Sequence, residues 1–326
     1  MGMREYLIKR IIQGIVTVFV VISINFFLFR AMPGNPFMRL IESQPRGKTK
    51  EMIDLYIKLF GLDKPIWEQY LIYIKNLLTG NFGYSLRQVG KPVSKIIMER
   101  LPNTLILMGT ATTLTIIIGI ALGVIAAGKR GQLADTATVV VGLTLYSIPI
   151  FWLGLLFILV FGFWLGWFPL WGMVTPGKYF TNPFEYAVDY LWHMTLPCTA
   201  LVLVSAGGWA LITRNALLDV FTEDYILTAR AKGLDERTVF YKHALRNAML
   251  PLVTMIALSF GFIASGAVLT ETVFSWYGIG RLLYEATYWQ DYPVVQAAFF
   301  IIAVCVIAAN IIADILYAYL DPRVKY

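Results

Sequence analysis

The chain has 326 residues, 58% of them hydrophobic and only 14% charged, with a mean hydropathy of +0.67. A water-soluble domain needs far more charge to cover its surface, so that class is excluded. The net charge of +7 follows membrane topology, as the loops below show, and gives no reason to invoke nucleic acid.

The apolar residues are blocked into six runs, at about 11–29, 105–127, 137–164, 194–212, 249–270 and 294–320. Each can cross a bilayer, since about 20 helical residues match a hydrocarbon core of about 30 Å. The expectation is an all-α integral membrane protein with six transmembrane helices. The third and sixth runs exceed one span and must tilt, bend or protrude. The first follows Lys9 and Arg10 and ends in Phe-Phe-Leu-Phe-Arg. It is too long for a signal-peptide core and reads as a retained anchor. Tyr6 stands where a myristoylation signal needs Ser or Thr.

The chain then divides into a tail and first span (1–30), an external loop with short helices (31–104), a five-helix core (105–320) and a tail (321–326). In the external loop, helical spacing is expected over 52–60 and 65–78, the latter through Ile66, Tyr70, Tyr73, Ile74, Leu77 and Leu78. Gly80, Gly83 and Gly90 break up the stretch leading to Pro92. This predicts a small helical cap on the outer face. The loop at 166–189 carries Trp167, Trp171, Tyr179, Phe180 and Tyr186, an interfacial aromatic belt. The loop at 272–293 holds Phe274, Trp276, Tyr277 and a Gly-x-Gly at Gly278 and Gly280, with no strand–turn–helix context and no Walker motif in the chain. Gly119 and Gly123, spaced by four, predict close helix packing. Pro149 and Pro197 are expected to kink or begin spans.

Orientation follows from the short loops. With an inside N-terminus, the inner segments carry Arg4, Lys9, Arg10, Lys129, Arg130, Arg214, Arg230, Lys232, Arg237, Lys242, Arg246, Arg323 and Lys325. The short outer loops carry only Lys178 and Arg281. Both termini are therefore expected in the cytoplasm. Cys198 and Cys305 fall inside spans and predict core residues, without a disulfide or thiol metal site. His193 stands at a span entrance with no metal-ligand cluster evident around it.

Ionisable groups are almost missing from the spans. The second to fifth runs contain no Asp, Glu, Lys or Arg, and Asp314 in the last lies near its inner end. Gradient-driven carriers place such groups within the membrane. Ser23, Asn25, Thr112, Thr113, Thr115, Ser205 and Ser265 form no catalytic constellation. The chain reads as a pathway without an engine. A stand-alone carrier or channel remains the alternative class; a membrane scaffold or enzyme has no support beyond the six spans.

The polar, basic segment 223–251 is where an engine could act. It reads as two short helices joined at Gly233. Asp224 is expected to cap the first and Asp235 the second, with Gly233 at positive φ between them. Ala229 and Ala231 keep the first helix thin, so another surface can approach it.

At these residues the chain resembles the permease subunits of binding-protein-dependent ABC importers, in the dipeptide/oligopeptide branch. The marker is Asp224-Tyr-Ile-Leu-Thr-Ala-Arg-Ala-Lys-Gly233, followed by His243-Ala-Leu-Arg-Asn-Ala and Leu250-Pro251. Phe60-Gly-Leu-Asp-Lys-Pro65, Glu271-Thr-Val-Phe-Ser-Trp276, Asp291-Tyr-Pro-Val-Val295 and Leu320-Asp-Pro-Arg-Val324 are similar as well. Where the general importer loop has Glu, this chain has Leu227, so a carboxylate contact at that position is not carried over.

The resemblance implies a type I importer permease in a prokaryotic inner or plasma membrane. It implies that Asp224, Thr228, Ala229, Arg230, Ala231, Lys232, Gly233 and Pro251 couple the chain to ATP hydrolysis. The implied partners are a second homologous permease subunit, two ATP-binding subunits, an extracytoplasmic solute-binding protein and membrane lipid. The chain itself would be no enzyme and hold no cofactor, ATP and magnesium being bound by the partners. Peptides are the implied cargo, with oligosaccharides or nickel chelates as alternatives for the same machinery. No pathway residue is singled out.

Overall fold

The computed structural model describes residues 3–31, 57–59, 61, 63–88 and 90–320. Of the helix expected over 52–60, only 57–59 are described, and they are helical. Phe60, Leu62 and the tail 321–326, with Arg323 and Lys325, lie outside the described residues.

The described chain is helical throughout, apart from loops and a single bridge between Tyr84 and Pro92. Helix α1 (Met3–Ala31) is followed by α2 (Ile66–Leu78), α3 (Val93–Gly128) and α4 (Leu133–Ser147). Helix α5 (Ile150–Phe157) runs into a π turn (Ile158–Trp164). Then come α6 (Pro183–Phe221), α7 (Asp224–Ala231) and α8 (Glu236–Thr238). A second π turn (Val239–Leu245) joins α8 to α9 (Arg246–Gly261). After a 3₁₀ turn (Ile263–Ser265), α10 (Val268–Val273), α11 (Ile279–Tyr288) and α12 (Tyr292–Leu320) complete the fold.

Among the described residues, five helical segments are long and apolar enough to cross a bilayer: Ile8–Arg30, Val93–Gly128, Pro183–Phe221, Glu236–Ser265 and Tyr292–Ile315. The third expected span, 137–164, is instead two arms bent by 94°. Pro149 supplies no N–H and pushes Ile148 into an extended conformation (φ −79°, ψ 128°), which ends α4. The fifth run also ends earlier than expected. Its helix stops at Gly261, and Gly266 at φ +74° turns the chain away before Thr270. Helices α3 and α6 are longer than their apolar runs, at 36 and 39 residues. Pro102 and Pro197 lie inside them, so neither proline begins a span.

The seam between α3 and α6 is the central packing contact. Gly119 faces Ala206, Trp209 and Ala210, and Gly123 faces Ala210 and Thr213, where any β-carbon would overlap the neighbour. Dispersion between close backbones holds such helices together where lipid removes the hydrophobic drive. Outward, Ile12, Ile15, Phe19 and Ile24 of α1 and Ile117 and Ile125 of α3 are exposed, as lipid-facing residues must be. Asn25 is a buried exception, donating to the Gln296 carbonyl (3.0 Å) and Tyr73 Oη (3.1 Å). It ties α1 to α2 and α12, so α2 packs against both. Arg10 pairs with Asp314 at 3.3 Å near the opposite end of α1 and α12.

Candidate functional site

Helix α7 stands at one end of the bundle, seated by two residues. Ile226 and Ala229 are three apart, hence on one face, and both are buried against Ala127, Leu217, Val239, Ala244 and Ala248. Burial of the Ile226 side chain contributes about 1.5–3 kcal/mol. The cap differs by one residue from expectation. Glu223 is the N-cap (φ −76°, ψ 141°) without a side-chain hydrogen bond, and Asp224 is the first helical residue. The Asp224 carboxylate still lies in the first turn, which suits the helix dipole.

The stop is as the residue types dictate. Gly233 takes φ +78°, its N–H donates to the Arg230 carbonyl (2.9 Å), and Leu234 N–H reaches the Ala229 carbonyl (3.4 Å). Asp235 then caps α8, accepting from Thr238 N–H at 3.0 Å, and hydrogen bonding from Thr238, its side chain first and its backbone second, holds the Asp235 carboxyl below the usual carboxylate range. Arg230 closes the turn with two bonds to Glu236, at 2.8 and 3.1 Å. This pair is exposed and screened, so it fixes shape more than stability.

Asp224, Leu227, Thr228 and Ala231 are all exposed and spaced i, i+3, i+4, i+7, which makes them one stripe along the outer face of α7. Arg230, Lys232 and Gly233 are exposed beside it. Ala229 is not on this surface: its methyl is the foot that lets α7 sit closely on the bundle, so only Ala231 offers a thin outward face. Pro251 is exposed but lies within α9, away from α7 in sequence. The second helix of the segment does not stop near Pro251; it passes through the π turn into the fifth span. Leu227 carries a large apolar side chain that is 57% exposed on this helix, where sequence reasoning noted only that it stands in place of a Glu.

Behind α7, Arg214 of α6 grips Asp135 of α4 with Nε–Oδ1 at 2.5 Å and a second bond at 2.9 Å. Asp135 also accepts from Gly131 N–H (2.9 Å), so one carboxylate fixes the α3–α4 turn to the helix that carries α7. Asp135→Arg is expected to lower coupled transport about tenfold, and the exchanged pair Asp135→Arg/Arg214→Asp to recover much of it, as contacting residues couple. Transport rates of the two single variants and the double variant check this; additive losses would deny the strut.

The opposite end is held by two buried carboxylates. Glu271 is fully buried, accepting from Thr104 Oγ1 (2.9 Å) and Arg281 N–H (2.9 Å). Thr104 in turn accepts from Ile279 N–H (2.7 Å), and the Trp276 indole donates to the Asn103 carbonyl (3.0 Å). Burial pushes the Glu271 carboxyl pKa up. Asp291 accepts from Ser85 Oγ, Leu86 N–H (3.0 Å) and Arg87 N–H (3.3 Å). Together they clamp the segments at 271–281 and 85–87 onto α3 and the start of α12. Within the bundle, His193 is not isolated from carboxylates: Asp189, one turn earlier, lies 3.5 Å from its Nδ1. Among the described residues no three His, Cys, Asp or Glu side chains gather into a metal site. Cys198 is a buried core residue and Cys305 is partly buried; both are free thiols.

Two family models cover nearly all of the chain. Residues 119–326 match the binding-protein-dependent transport system inner membrane component, and residues 3–108 match the N-terminal part of such membrane components. Among curated relatives, an oligopeptide transport system permease protein of Bacillus subtilis (AppB) is 39% identical, over 99% of this chain and all of its own length. A dipeptide transport system permease protein of Alkalihalophilus pseudofirmus (DppB) is 36% identical with the same coverage. The glutathione transport system permease protein of Escherichia coli K12 (GsiC) is 38% identical, again over 99% and 100%. A solved inward-facing structure of the MetNI methionine ABC transporter matches with a TM-score of 0.54 at 18% identity, covering 69% of this chain and 96% of that one. That likeness concerns the fold.

Proposed function

We propose, because this chain belongs to the family of binding-protein-dependent transport system inner membrane components, that it forms half of an ATP-driven import path for peptides. ATP hydrolysis in such a system lies on separate subunits, and the chain is the multi-pass inner-membrane part. The observation that carries the finer reading is α7. An exposed stripe of Asp224, Leu227, Thr228 and Ala231 stands proud of the bundle on a rigid seat, at the end richest in arginine and lysine. With that end in the cytoplasm, as the loop charges require, α7 is the surface an ATP-binding subunit would grip.

Coupling then needs only differential binding. Two ATP-binding subunits, closing on nucleotide, favour one bundle conformation over the other, and helices α6 and α9 pass the shift inward. The Asp135–Arg214 pair and the Ile226 seat make α7 move with the bundle and not against it. A second permease subunit supplies the other half of the path, and an external binding protein delivers the cargo. Peptide cargo is supported by the oligopeptide, dipeptide and glutathione permeases that this chain resembles over its whole length.

Reconstituting the chain with its partner subunits and binding protein tests the reading. Peptide uptake is expected to require ATP, and Leu227→Asp to lower it about 30-fold, the effect of losing an interface anchor worth about 2 kcal/mol. Uptake by the chain alone, without ATP, would instead identify a stand-alone carrier or channel.

A further inference from the structure

We propose that a cavity of about 220 Å³ between α3, α6, α9 and the 3₁₀ turn is a cargo subsite, in which Thr112, Thr115 and Ser205 hydrogen-bond peptide main-chain groups. The proposal rests on the importer reading above and places a step of the path within this chain. Its walls carry no charged side chain; the hydroxyls are set among Trp209 and Phe262 and smaller apolar groups.

The three hydroxyls behave unlike their neighbours. Thr113, next to Thr112, returns its hydroxyl to the Gly109 carbonyl at 2.8 Å, and Ser259 on the same wall donates to the Met255 carbonyl at 2.9 Å. Thr112, Thr115 and Ser205 make no hydrogen bond with any described group. Facing the cavity, these hydroxyls are free to bond whatever polar group enters it, which lipid tails cannot supply. Ser205 and Phe262 are exposed, so the cavity can be reached, and it lies about halfway along α3 and α6.

The chemistry selects the ligand class. Hydroxyls both donate and accept, as a peptide main chain does in reverse. The lack of charge gives no preference for one cargo side chain over another. The volume is below the roughly 300 Å³ at which pockets enclose a whole small ligand, so the site holds a part of the cargo at a time. A path needs such weak, successive contacts, because tight binding would stop release.

The test uses the assembled complex with its binding protein, in a Cys198→Ala/Cys305→Ala background carrying Ser205→Cys. A water-soluble, membrane-impermeant methanethiosulfonate should label this cysteine, and a mixture of alanine di- to pentapeptides undergoing transport should slow labelling about tenfold, a change of 1.4 kcal/mol. Thr112→Val/Thr115→Val/Ser205→Ala should raise the KM of uptake by a similar factor, while Ser205→Thr keeps it. Labelling only by an oil-soluble reagent would mean a lipid-facing site. Labelling only after the second permease subunit is stripped away would mean a subunit contact. Either result overturns the proposal while leaving transport intact. A complex that takes up no peptide at all overturns the importer reading itself.

Discussion

Gly233→Pro should abolish ATP-coupled uptake while the chain still inserts and assembles, whereas Gly233→Asn should retain most of it. Gly233 sits at φ +78° and its N–H donates to the Arg230 carbonyl at 2.9 Å. Proline fixes φ near −65° and has no N–H, so both features are lost at a cost of about 3 kcal/mol or more. Asparagine tolerates the left-handed region and keeps the donor. The turn sets the angle between α7 and α8, and nothing crowds the glycine, since a β-carbon there meets no atom within 4 Å. The difference between the two variants therefore isolates backbone conformation from packing. Uptake and stimulated ATPase rate, measured on the same proteoliposomes, decide it. Intact coupling in the proline variant would remove α7 from the mechanism.

Glu271→Ala should lower the thermal midpoint of the solubilised complex more than any exposed substitution on α7. It leaves the Thr104 hydroxyl and the Arg281 N–H buried without their acceptor, at about 1–3 kcal/mol for each unsatisfied group, and opens a void beside Gly278 and Gly280. The same residue carries a pH signature. Burial raises its folded-state pKa above the ordinary 4.5, so the native chain holds this proton more tightly than the unfolded chain. Its contribution to stability is full below the unfolded value and is lost as pH rises through the raised folded value. Glu271→Gln, which cannot ionise, should flatten that slope above the ordinary carboxyl value while losing one of the two acceptor contacts. A wild-type midpoint that rises with pH in this window, with no change of slope in the variant, would contradict the assignment.

How much of this was legible depended on the kind of signal. Helix α2 began where Pro65 and the apolar spacing placed it, because local pattern and packing agree there. Helices α3 and α6 were underestimated: hydropathy fades at Lys95, Glu99 and Arg100 and again at Asp189 and Arg214, but the backbone helix continues past them. The bend at Pro149 and the turn at Gly266 are tertiary outcomes of residues that elsewhere sit quietly inside helices, as Pro102 and Pro197 do. Gly233 and Asp235 announced their roles because few residues serve a positive φ or an N-cap. Ala229 did not, since a small residue serves equally for approach by a partner or for seating on its own bundle, and only packing distinguishes them. Glu271 and Asp291 were noticed as parts of familiar strings, but a lone carboxylate in a loop has no periodicity to reveal that it is a clamp. The hydroxyl cavity was invisible for the same reason: Thr112 and Thr113 are identical in type and differ only in direction.

The most direct measurement is disulfide crosslinking from Leu227→Cys in the assembled complex, probed against cysteines introduced in the ATP-binding subunits. The account predicts a crosslink to an ATP-binding subunit that forms in both nucleotide states, with α7 and its counterpart in the second permease subunit approaching one another when ATP is bound. A Leu227→Cys that reacts with an impermeant reagent from the outside of intact cells, or that finds no ATP-binding subunit within reach, would contradict it.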